Sequence, residues 1–530
     1  MKDIAVIGGG WYGSHIALEL RKKGHNVTLY EKNPRLFSNI SGLFGIRLHI
    51  GPHYPRSKAT RRSCLYGFQA FTTKYPELIV PHDYSVYAVG NSDASGMASK
   101  VSADDFVEVC KEHSRCKVFY DTEEKGYKNL QVAVELDEPS VYIGRGLHDF
   151  FERKLTDAGV NIIYNYNAVS AHKTDSEMIQ ITSDNGQVGI FDYAVNATSF
   201  QALMPNSRIN LPFNTVYQPC LALVYEDLAP TSEKPFSFIV MDGWFPCMMP
   251  AVDYGKDATA EKRQYILTHG MWTIMASYSD VNSAREHLST INDQFIGEKI
   301  RPNCEKEMNR FFPAFGERFR YVKWVGTVLA KVRNNREFRS SITFRDTDSG
   351  MIYVLPGKVS NIFDAEIEVE ALIDGRDIIH NEGNGYSYVK DGTLDTALPE
   401  FREEVIGRNT CDLQTFRLKE IKDPPIVKQA ITKQARLKNR TTANMKLLVG
   451  LALIIAFNES ACESPNPLVR LFIGLAFLAS CISLIIRYSG VSSFEQLPTF
   501  FQYKSGTSGH QILLQNSTAS GITPSSTLMQ

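Results

Sequence analysis

A short apolar run followed by a glycine-rich turn opens the chain. Residues 4–7 are all apolar, and residues 8–13 carry the pattern G-x-G-x-x-G. From residue 14 to residue 23 the apolar side chains recur with helical spacing, and residues 27–30 return to a strand-like run that ends at Glu31. The pattern therefore predicts a strand, a tight turn, a helix and a second strand in direct succession.

The glycine turn has the features of a dinucleotide-binding site. Gly8 permits the tight turn, Gly10 lets a pyrophosphate approach the backbone, and Gly13 lets the helix pack against the strand. Glu31 stands 18 residues after Gly13, where a carboxylate accepts hydrogen bonds from the ribose of an adenosine. The alternative, a glycine-rich turn beside a surface glutamate, is disfavoured because all the elements occur in order. The predicted contacts are Gly8, Gly10, Trp11, Tyr12, Gly13 and Glu31.

Two later segments indicate that the dinucleotide is FAD. Residues 194–198 form an apolar strand that ends in small residues. Residues 351–358 form another strand that ends in a glycine turn, and apolar-periodic positions follow from 362 to 378. In this interpretation, separate segments of the chain build one nucleotide-binding domain, and other segments are inserted between them. Such an arrangement suits a cofactor as elongated as FAD. The predicted fold class is α/β, with a Rossmann-type FAD-binding domain.

Composition narrows the class of protein. Of the 530 residues, 43% are hydrophobic and 22% are charged, which is ordinary for a globular protein. Lys+Arg number 57 and Asp+Glu number 58, so no global basic field exists to hold nucleic acid. The nine cysteines form no CxxC pair, so we expect neither a metal site nor a disulfide framework.

With these motifs the chain resembles the D-amino-acid oxidase superfamily of FAD-dependent oxidoreductases. The fingerprint continues at the family's spacing as far as Glu31. The segment 159–169 is similar to one in which the family residue matching Val169 pairs its backbone with adenine. At 195–199 the sequence V-N-A-T-S differs from the family's A-T-G ending, so a serine stands at the glycine position. The resemblance implies further FAD contacts at Val169, Ala197, Thr198, Gly357 and Lys358.

The resemblance also implies an inserted substrate domain. Strand-like runs occupy 220–225, 236–241 and 264–269, with a predicted turn at Asp242–Gly243. We expect these runs to form the family's antiparallel substrate sheet. The expected FAD-binding domain is discontinuous, at 1–75, 140–210 and 340–390, and the substrate or cap domain occupies 76–139 and 211–339.

A group of polar side chains is predicted beneath the flavin. Residues 47–57 have the sequence RLHIGPHYPRS, which resembles a narrower branch of these oxidoreductases, and in the family this segment runs under the flavin. Histidine suits proton transfer because its pKa lies near neutrality, and arginine suits anion recognition. The resemblance therefore makes His49, His53 and Tyr54 catalytic candidates and Arg47 a cofactor ligand. Bonds to the flavin pyrophosphate or to local carbonyls are the alternative role for these groups.

A second catalytic candidate precedes the last FAD segment. In amino-acid oxidases of the superfamily an arginine near this point clamps the substrate carboxylate. Arg339, in the sequence F-R-S-S, is the position that the resemblance favours. A solvated basic hairpin is an equally good interpretation of the arginines in this region.

The C-terminal part of the chain is predicted to hold a helical hairpin. Residues 428–446 are basic, 447–457 lack polar side chains, and 471–486 are mostly apolar. Each apolar stretch falls short of the about 20 residues that a full span needs. The basic flanks nevertheless match the positive-inside pattern, so a transmembrane or re-entrant hairpin is expected, with a buried soluble hairpin as the alternative. The assigned segments are a connecting, basic juxtamembrane segment at 391–446, the hairpin at 447–486 and a disordered tail at 487–530.

The sequence thus predicts a membrane-tethered FAD-dependent oxidoreductase whose catalytic domain lies in the cytoplasm. Its substrate would be a small polar molecule, an amino acid, amine or sugar derivative, that loses hydride from a C–N or C–OH bond to the flavin. Oxygen or a quinone would accept the electrons. Two alternatives stay open: a flavin-dependent sugar mutase without net redox change, and a non-enzymatic membrane platform, for which the Ser/Thr-rich tail would suit a bacterial effector.

Overall fold

The computed structural model describes the chain from residue 1 to residue 395. Within that range it leaves out 113–114, 205–214, 255–262, 333–338, 347, 376–377, 382–385 and 390–393, and it describes side chains only as far as residue 375. The predicted hairpin at 447–486 and the predicted tail at 487–530 lie outside the described residues. No helix within the described residues is long and apolar enough to cross a membrane.

The described part of the chain contains both strands and helices, and within 161–269 its strands follow one another with no α-helix between them. The strands are β1 (Asp3–Ile7), β2 (Asn26–Tyr30), β3 (Ile46–Arg47), β4 (Ile79–Val80), β5 (Ser85–Gly90), β6 (Cys116–Phe119), β7 (Leu130–Leu136), β8 (Ser140–Val141), β9 (Asn161–Ile163), β10 (Ala168–Lys173), β11 (Ile179–Ser183), β12 (Val188–Phe191), β13 (Tyr193–Asn196), β14 (Thr215–Asp227), β15 (Ser237–Met241), β16 (Pro246–Ala251), β17 (Gln264–His269), β18 (Phe319–Val332), β19 (Ile342–Arg345), β20 (Ile352–Leu355), β21 (Ile378–Asn381), β22 (Tyr386–Val389) and β23 (Leu394–Asp395). The helices are α1 (Trp11–Lys22), α2 (Ile40–Leu43), α3 (Lys58–Lys74), α4 (Ala103–Lys111), α5 (Arg145–Ala158), α6 (Val281–Ser289), α7 (Asp293–Phe295), α8 (Arg301–Phe311), α9 (Phe315–Arg318) and α10 (Ile362–Ile373).

Six strands form the central sheet, in the order β19-β20-β13-β1-β2-β9. The strand β1 lies parallel to both β2 and β13, whereas β19 runs antiparallel to β20. The strands predicted at 4–7, 27–30, 194–198 and 351–358 are confirmed as β1, β2, β13 and β20. Residues 4–6 of β1 have no exposed surface, as expected of an apolar strand inside a parallel sheet.

Helix α1 begins earlier than the sequence pattern predicts. The spacing predicts a helix over 14–23, whereas α1 spans Trp11–Lys22. Gly10 occupies the N-cap position, and because it has no side chain, no capping residue marks the start. Gly24 follows the helix with a φ of +88°, which fits its predicted role at the C-terminal end.

A second, eight-stranded sheet has the order β18-β14-β17-β16-β15-β5-β7-β6, and we call it the substrate-side sheet. The strand-like runs predicted at 220–225, 236–241 and 264–269 are confirmed in β14, β15 and β17. The expectation of a wholly antiparallel sheet is wrong at one pair, because β5 lies parallel to β15. These two strands come from distant parts of the chain, so no hairpin constrains their relative direction.

His269, which is buried, and His82, which is partly buried, make the fold sensitive to acid at the substrate-side sheet. His269 in β17 is 1% exposed, and burial lowers the pKa of His269 and of His82, just before β5, to about 3. An unfolded chain protonates histidine near pH 6.5. Below that pH the unfolded state therefore binds protons that the folded state does not. We expect the free energy of unfolding to fall by up to about 1.4 kcal/mol per pH unit for each histidine.

Urea denaturation between about pH 7 and pH 5 measures this loss. The variant His269→Gln should show a shallower decline, because it removes one of the titrating groups. His172→Gln, at an exposed position in β10, is the matched control and should keep the slope of the unsubstituted protein. A free energy of unfolding that does not change over this range would contradict the prediction.

Candidate active site

The glycine turn and the end of β2 form one wall of an open cleft. Gly8 has a φ of +107°, in the left-handed region that favours glycine, and its N–H donates to the Tyr30 carbonyl at 2.8 Å. Gly10 leads directly into α1, so the positive end of that helix faces the turn. The residues that line this cleft include Gly8, Gly9, Gly10, Glu31, Ala197 and Thr198.

Glu31 is held firmly on the edge of the cleft. Its Oε2 accepts the backbone N–H of Gly9 at 2.8 Å, and its Oε1 accepts the backbone and side-chain N–H groups of Asn33 at 2.9 and 2.6 Å. A carboxylate offers about four acceptor sites, so capacity for a ribose hydroxyl is left. The geometry therefore suits the role that the sequence assigns to this residue.

The end of β13 carries Ala197 and Thr198 into the same cleft. The Ala197 N–H donates to the Ile7 carbonyl at 2.9 Å, and Asn196 Oδ1 accepts from both the N–H and the hydroxyl of Thr198 at 3.1 and 2.7 Å. Ser199, at the position where the related family has glycine, adopts a φ of +59°. The turn thus keeps its left-handed backbone although it lacks the glycine, and the Asn196 side chain braces it.

Trp11 and Val169, both predicted to contact the cofactor, do not line this cleft with their side chains. The ring of Trp11 packs edge-on against Phe37 and Phe151 at 5.3 Å from each, so this side chain belongs to the core. Val169 lies at an irregularity of β10 with its side chain 54% exposed, whereas the neighbouring residues 166–168 line the cleft. The contact predicted for Val169 is made by its backbone, so it stays a prediction.

Tyr12 joins the first FAD motif to the last. Its hydroxyl donates to the Lys358 carbonyl at 2.6 Å and accepts the Gly357 N–H at 3.0 Å. Lys358 Nζ in turn donates to the Arg339 carbonyl at 2.9 Å and lies 5.4 Å from the centre of the Tyr54 ring. These contacts gather five of the predicted site residues around the turn that follows β20.

The segment after β3 brings its histidines together. The rings of His49 and His53 stack with their centres 4.7 Å apart, and the Tyr54 ring meets both edge-on. Arg47, in β3, is buried and donates from Nη1 to the Tyr87 hydroxyl in β5 at 3.1 Å. The predicted catalytic side chains therefore face the substrate-side sheet.

Glu138 and Tyr87 are residues of this cluster that the sequence analysis missed. Glu138 follows β7 with no exposed surface, and its carboxylate lies 3.1 Å from His49 Nδ1. It also accepts the Ile50 N–H at 3.0 Å and the Tyr87 hydroxyl. Glu138 stands directly after Asp137 and before Pro139, and nothing near it in the sequence indicates its partners.

Burial and neighbouring charges set the protonation of the cluster. Burial raises the pKa of Glu138, but His49, Arg47 and Tyr87 together outweigh it and hold that pKa below its usual range. Burial lowers the pKa of His49, which Glu138 only partly restores. Burial and the charge of Arg47 hold the pKa of His53 well below its usual value. At neutral pH the cluster thus contains an ionised carboxylate and two neutral imidazoles.

Two buried nitrogens of the cluster fit a flavin or a substrate bound against it. Arg47 Nε and His53 Nδ1 are shielded from solvent and have no hydrogen-bond partner among the described residues. Buried polar groups in folded proteins are nearly always paired, so these two atoms are available for hydrogen bonds with a bound ligand. Together with the glycine turn and Glu31, the described residues fit FAD from its adenosine end to its flavin end.

Comparison with known proteins agrees with this geometry. The family model for DAO, FAD dependent oxidoreductase, matches residues 3–342. The FAD-dependent monooxygenase kojA of Aspergillus flavus is 43% identical over 423 residues, which cover 78% of this chain and 96% of that protein. FAD-dependent monooxygenase FPY4 of Fusarium mangiferae is 28% identical over 391 residues, with 70% and 91% covered.

Solved structures share the fold at low sequence identity. Glycine oxidase from Geobacillus kaustophilus has a TM-score of 0.51 at 13% identity, with 70% of this chain and 94% of that chain covered. A modified fructosyl peptide oxidase from Aspergillus nidulans has a TM-score of 0.53 at 13% identity, with 72% and 92% covered. At this identity the two structures show the fold alone. The chain belongs to the DAO family of FAD-dependent oxidoreductases, and its cofactor is FAD.

Proposed function

We propose that the chain oxidises a C–N or C–OH bond of a small polar substrate, an amino acid, amine or sugar derivative, beside the His49 cluster. The observation that carries the proposal is the buried contact between His49 and Glu138, which supplies a neutral imidazole where a proton must leave the substrate. Bound FAD supplies the hydride acceptor. The substrate loses one hydride and one proton and becomes an imine or a carbonyl.

The surrounding side chains suit the rest of the task. Arg47 Nε and His53 Nδ1 are buried nitrogens without a partner among the described residues, and they would form hydrogen bonds with the substrate or the cofactor. The stacked rings of His49 and His53 and the edge of Tyr54 exclude water from that space. Arg339 contributes its backbone carbonyl to Lys358, and a carboxylate clamp by its side chain is part of the proposal.

Dioxygen is our choice of electron acceptor. Two curated relatives are named FAD-dependent monooxygenases, which supports oxygen over quinone. In the proposed reaction oxygen takes up two electrons and two protons and becomes hydrogen peroxide. The same names disfavour the alternatives of a mutase without net redox change and of a non-enzymatic platform.

Anaerobic mixing with candidate substrates tests the proposal. Amino acids, amines and sugar derivatives are added in turn to the FAD-loaded protein, and one class should bleach the flavin absorbance. His49→Gln should slow the bleaching by about 100-fold or more, because a positioned proton acceptor contributes that much. His172→Gln on β10 is the matched control and should leave the rate unchanged.

Admission of oxygen completes the test. One hydrogen peroxide per oxygen consumed supports the proposed reaction, whereas labelled oxygen in the product would overturn it in favour of the monooxygenation that the names of the relatives describe. Failure of all three classes to bleach protein-bound FAD, or an unchanged rate in His49→Gln with full FAD content, would equally count against it.

Membrane attachment through residues 447–486 is also proposed, with the catalytic domain on the cytoplasmic side. Its support is the sequence pattern of two apolar stretches with basic flanks. If the proposal holds, the full chain sediments with membranes and a chain ending before residue 447 does not. Recovery of the full chain in the supernatant without detergent would contradict it.

A further inference from the structure

The carboxylate of Glu138 joins three separate parts of the chain. Its Oε1 faces His49 Nδ1, from the segment after β3, and also accepts the hydroxyl of Tyr87, from β5. Its Oε2 accepts the backbone N–H of Ile50. Because an ionised carboxylate only accepts hydrogen bonds, the proton of His49 must lie on Nδ1.

The other nitrogen of His49 is thereby left as an acceptor. A neutral imidazole with its proton on Nδ1 has a lone pair on Nε2. No described residue forms a hydrogen bond with His49 Nε2. His53 stacks on the face of the ring, so it does not compete for either nitrogen in the ring plane.

Tyr87 and Arg47 extend the arrangement on the other side of Glu138. Arg47 Nη1 donates to the Tyr87 hydroxyl, and that hydroxyl donates to Glu138. The donors therefore run in one direction, from Arg47 Nη1 through the Tyr87 hydroxyl to the Glu138 carboxylate, and each of these three groups has a partner of the right kind. The series keeps the carboxylate in place even when His49 gains or loses a proton.

We propose that Glu138 is a positioning residue that fixes the tautomer and orientation of His49, so that Nε2 takes the proton from the substrate. The inference rests on the proposed function. It gives Tyr87 a part as well, because this hydroxyl shares the same carboxylate oxygen with His49. Glu138 itself touches neither substrate nor cofactor and acts only through the imidazole.

Replacement of Glu138 by glutamine should change both the rate and its pH dependence. An amide can present N–H to His49 Nδ1, which would move the imidazole proton to Nε2 and remove the acceptor. We expect the rate constant of flavin reduction to fall about 100-fold with little change in KM. The charge of Glu138 raises the pKa of His49. Loss of that charge should therefore move the acid limb of the pH–rate profile to lower pH.

The pKa of His49 depends on the charged and titratable groups that face its ring. They are Glu138, Arg47, Lys358, His53 and Tyr54. Tyr87→Phe should move the acid limb the opposite way, to higher pH, because the carboxylate then directs more of its charge towards His49. Glu138→Asp keeps the charge and should recover part of the lost rate.

Controls separate the inference from the stability of the fold. Glu135→Gln, three residues earlier on β7, removes a carboxylate that lies 3.9 Å from Lys117 and should leave rate and pH profile unchanged. FAD content and melting temperature are measured for each variant. If Glu138→Gln does not fold, the direction in which the acid limb moves in Tyr87→Phe decides whether the inference holds.

Two results would overturn the inference. One is a Glu138→Gln protein with full FAD, an unchanged rate and an unchanged acid limb, while His49→Gln remains slow; the proposed function then survives without Glu138. The other is a Tyr87→Phe acid limb that does not move. By contrast, if His49→Gln reduces its flavin at the normal rate, the proposed function is wrong, and the inference about Glu138 falls with it.

Discussion

Gly13→Ala abolishes FAD binding and leaves most of the chain unfolded: this is the largest effect that we expect of any single substitution. A Cβ at Gly13 would overlap the carbonyl oxygen of Gly8 and lie 3.0 Å from its carbonyl carbon. Both atoms belong to the backbone of the turn, so no side chain can rotate away. The overlap can be relieved only if α1 moves away from β1, and we expect this movement to lower the free energy of unfolding by more than about 4 kcal/mol.

The measurement is the flavin absorbance of the purified protein together with its far-ultraviolet circular dichroism on heating. Gly297→Ala is the matched control, because a Cβ there meets nothing within 4 Å and the residue lies within a helical turn. That variant should keep its FAD and gain up to about 1 kcal/mol. A yellow, normally melting Gly13→Ala protein would contradict the packing described for the glycine turn.

Arg56→Met should lower the free energy of unfolding by about 3–5 kcal/mol, which is the second large effect. Arg56 Nε and Nη2 donate to Asp242 Oδ2 and Oδ1 at 2.5 and 3.0 Å, and the Asp242 side chain is only 2% exposed. Removal of the guanidinium leaves a buried carboxylate without its counter-ion. Since Arg56 follows Tyr54 by two residues, the same ion pair holds the segment that carries His49 and His53 against the substrate-side sheet.

A double substitution separates the buried charge from the lost packing. Arg56→Met combined with Asp242→Asn removes both charges and should recover a large part of the loss, as replacement of both partners of a buried pair usually does. Arg320→Met breaks the exposed pair with Glu226, where the arginine side chain is 63% exposed, and should cost less than about 1 kcal/mol. Equal losses in Arg56→Met and Arg320→Met, measured by urea denaturation, would refute the prediction.

The FAD-binding half could be predicted because its signals are local. An apolar run, a glycine turn and an acid at the end of the next strand lie within the first 31 residues, and each constrains the backbone at its own position. The same locality explains the error at α1, where Gly10 offers no capping side chain. It also explains Trp11, whose position in the motif says nothing about which way its ring points.

The polar cluster could be predicted only in part. His49 and His53 were found because they lie four residues apart in a recognisable segment. Glu138 lies 89 residues from His49, and Asp242 lies 186 residues from Arg56. Such pairs depend on how separate segments of the chain pack against each other. The hydrophobic pattern of either segment alone contains no information about that packing. The parallel pairing of β5 with β15 was missed for the same reason.

The strand order of the central sheet also dictates when the protein can acquire its cofactor. On the ribosome β13 emerges about 160 residues before β20, which pairs with it. At roughly 5–20 residues per second, that edge stays open for about 8–30 s of translation. The two backbone partners of Tyr12 follow later still. A nascent chain therefore presents an incomplete flavin pocket until Lys358 has emerged, about two thirds of the way along the chain, and the complete pocket is open to FAD only after that point.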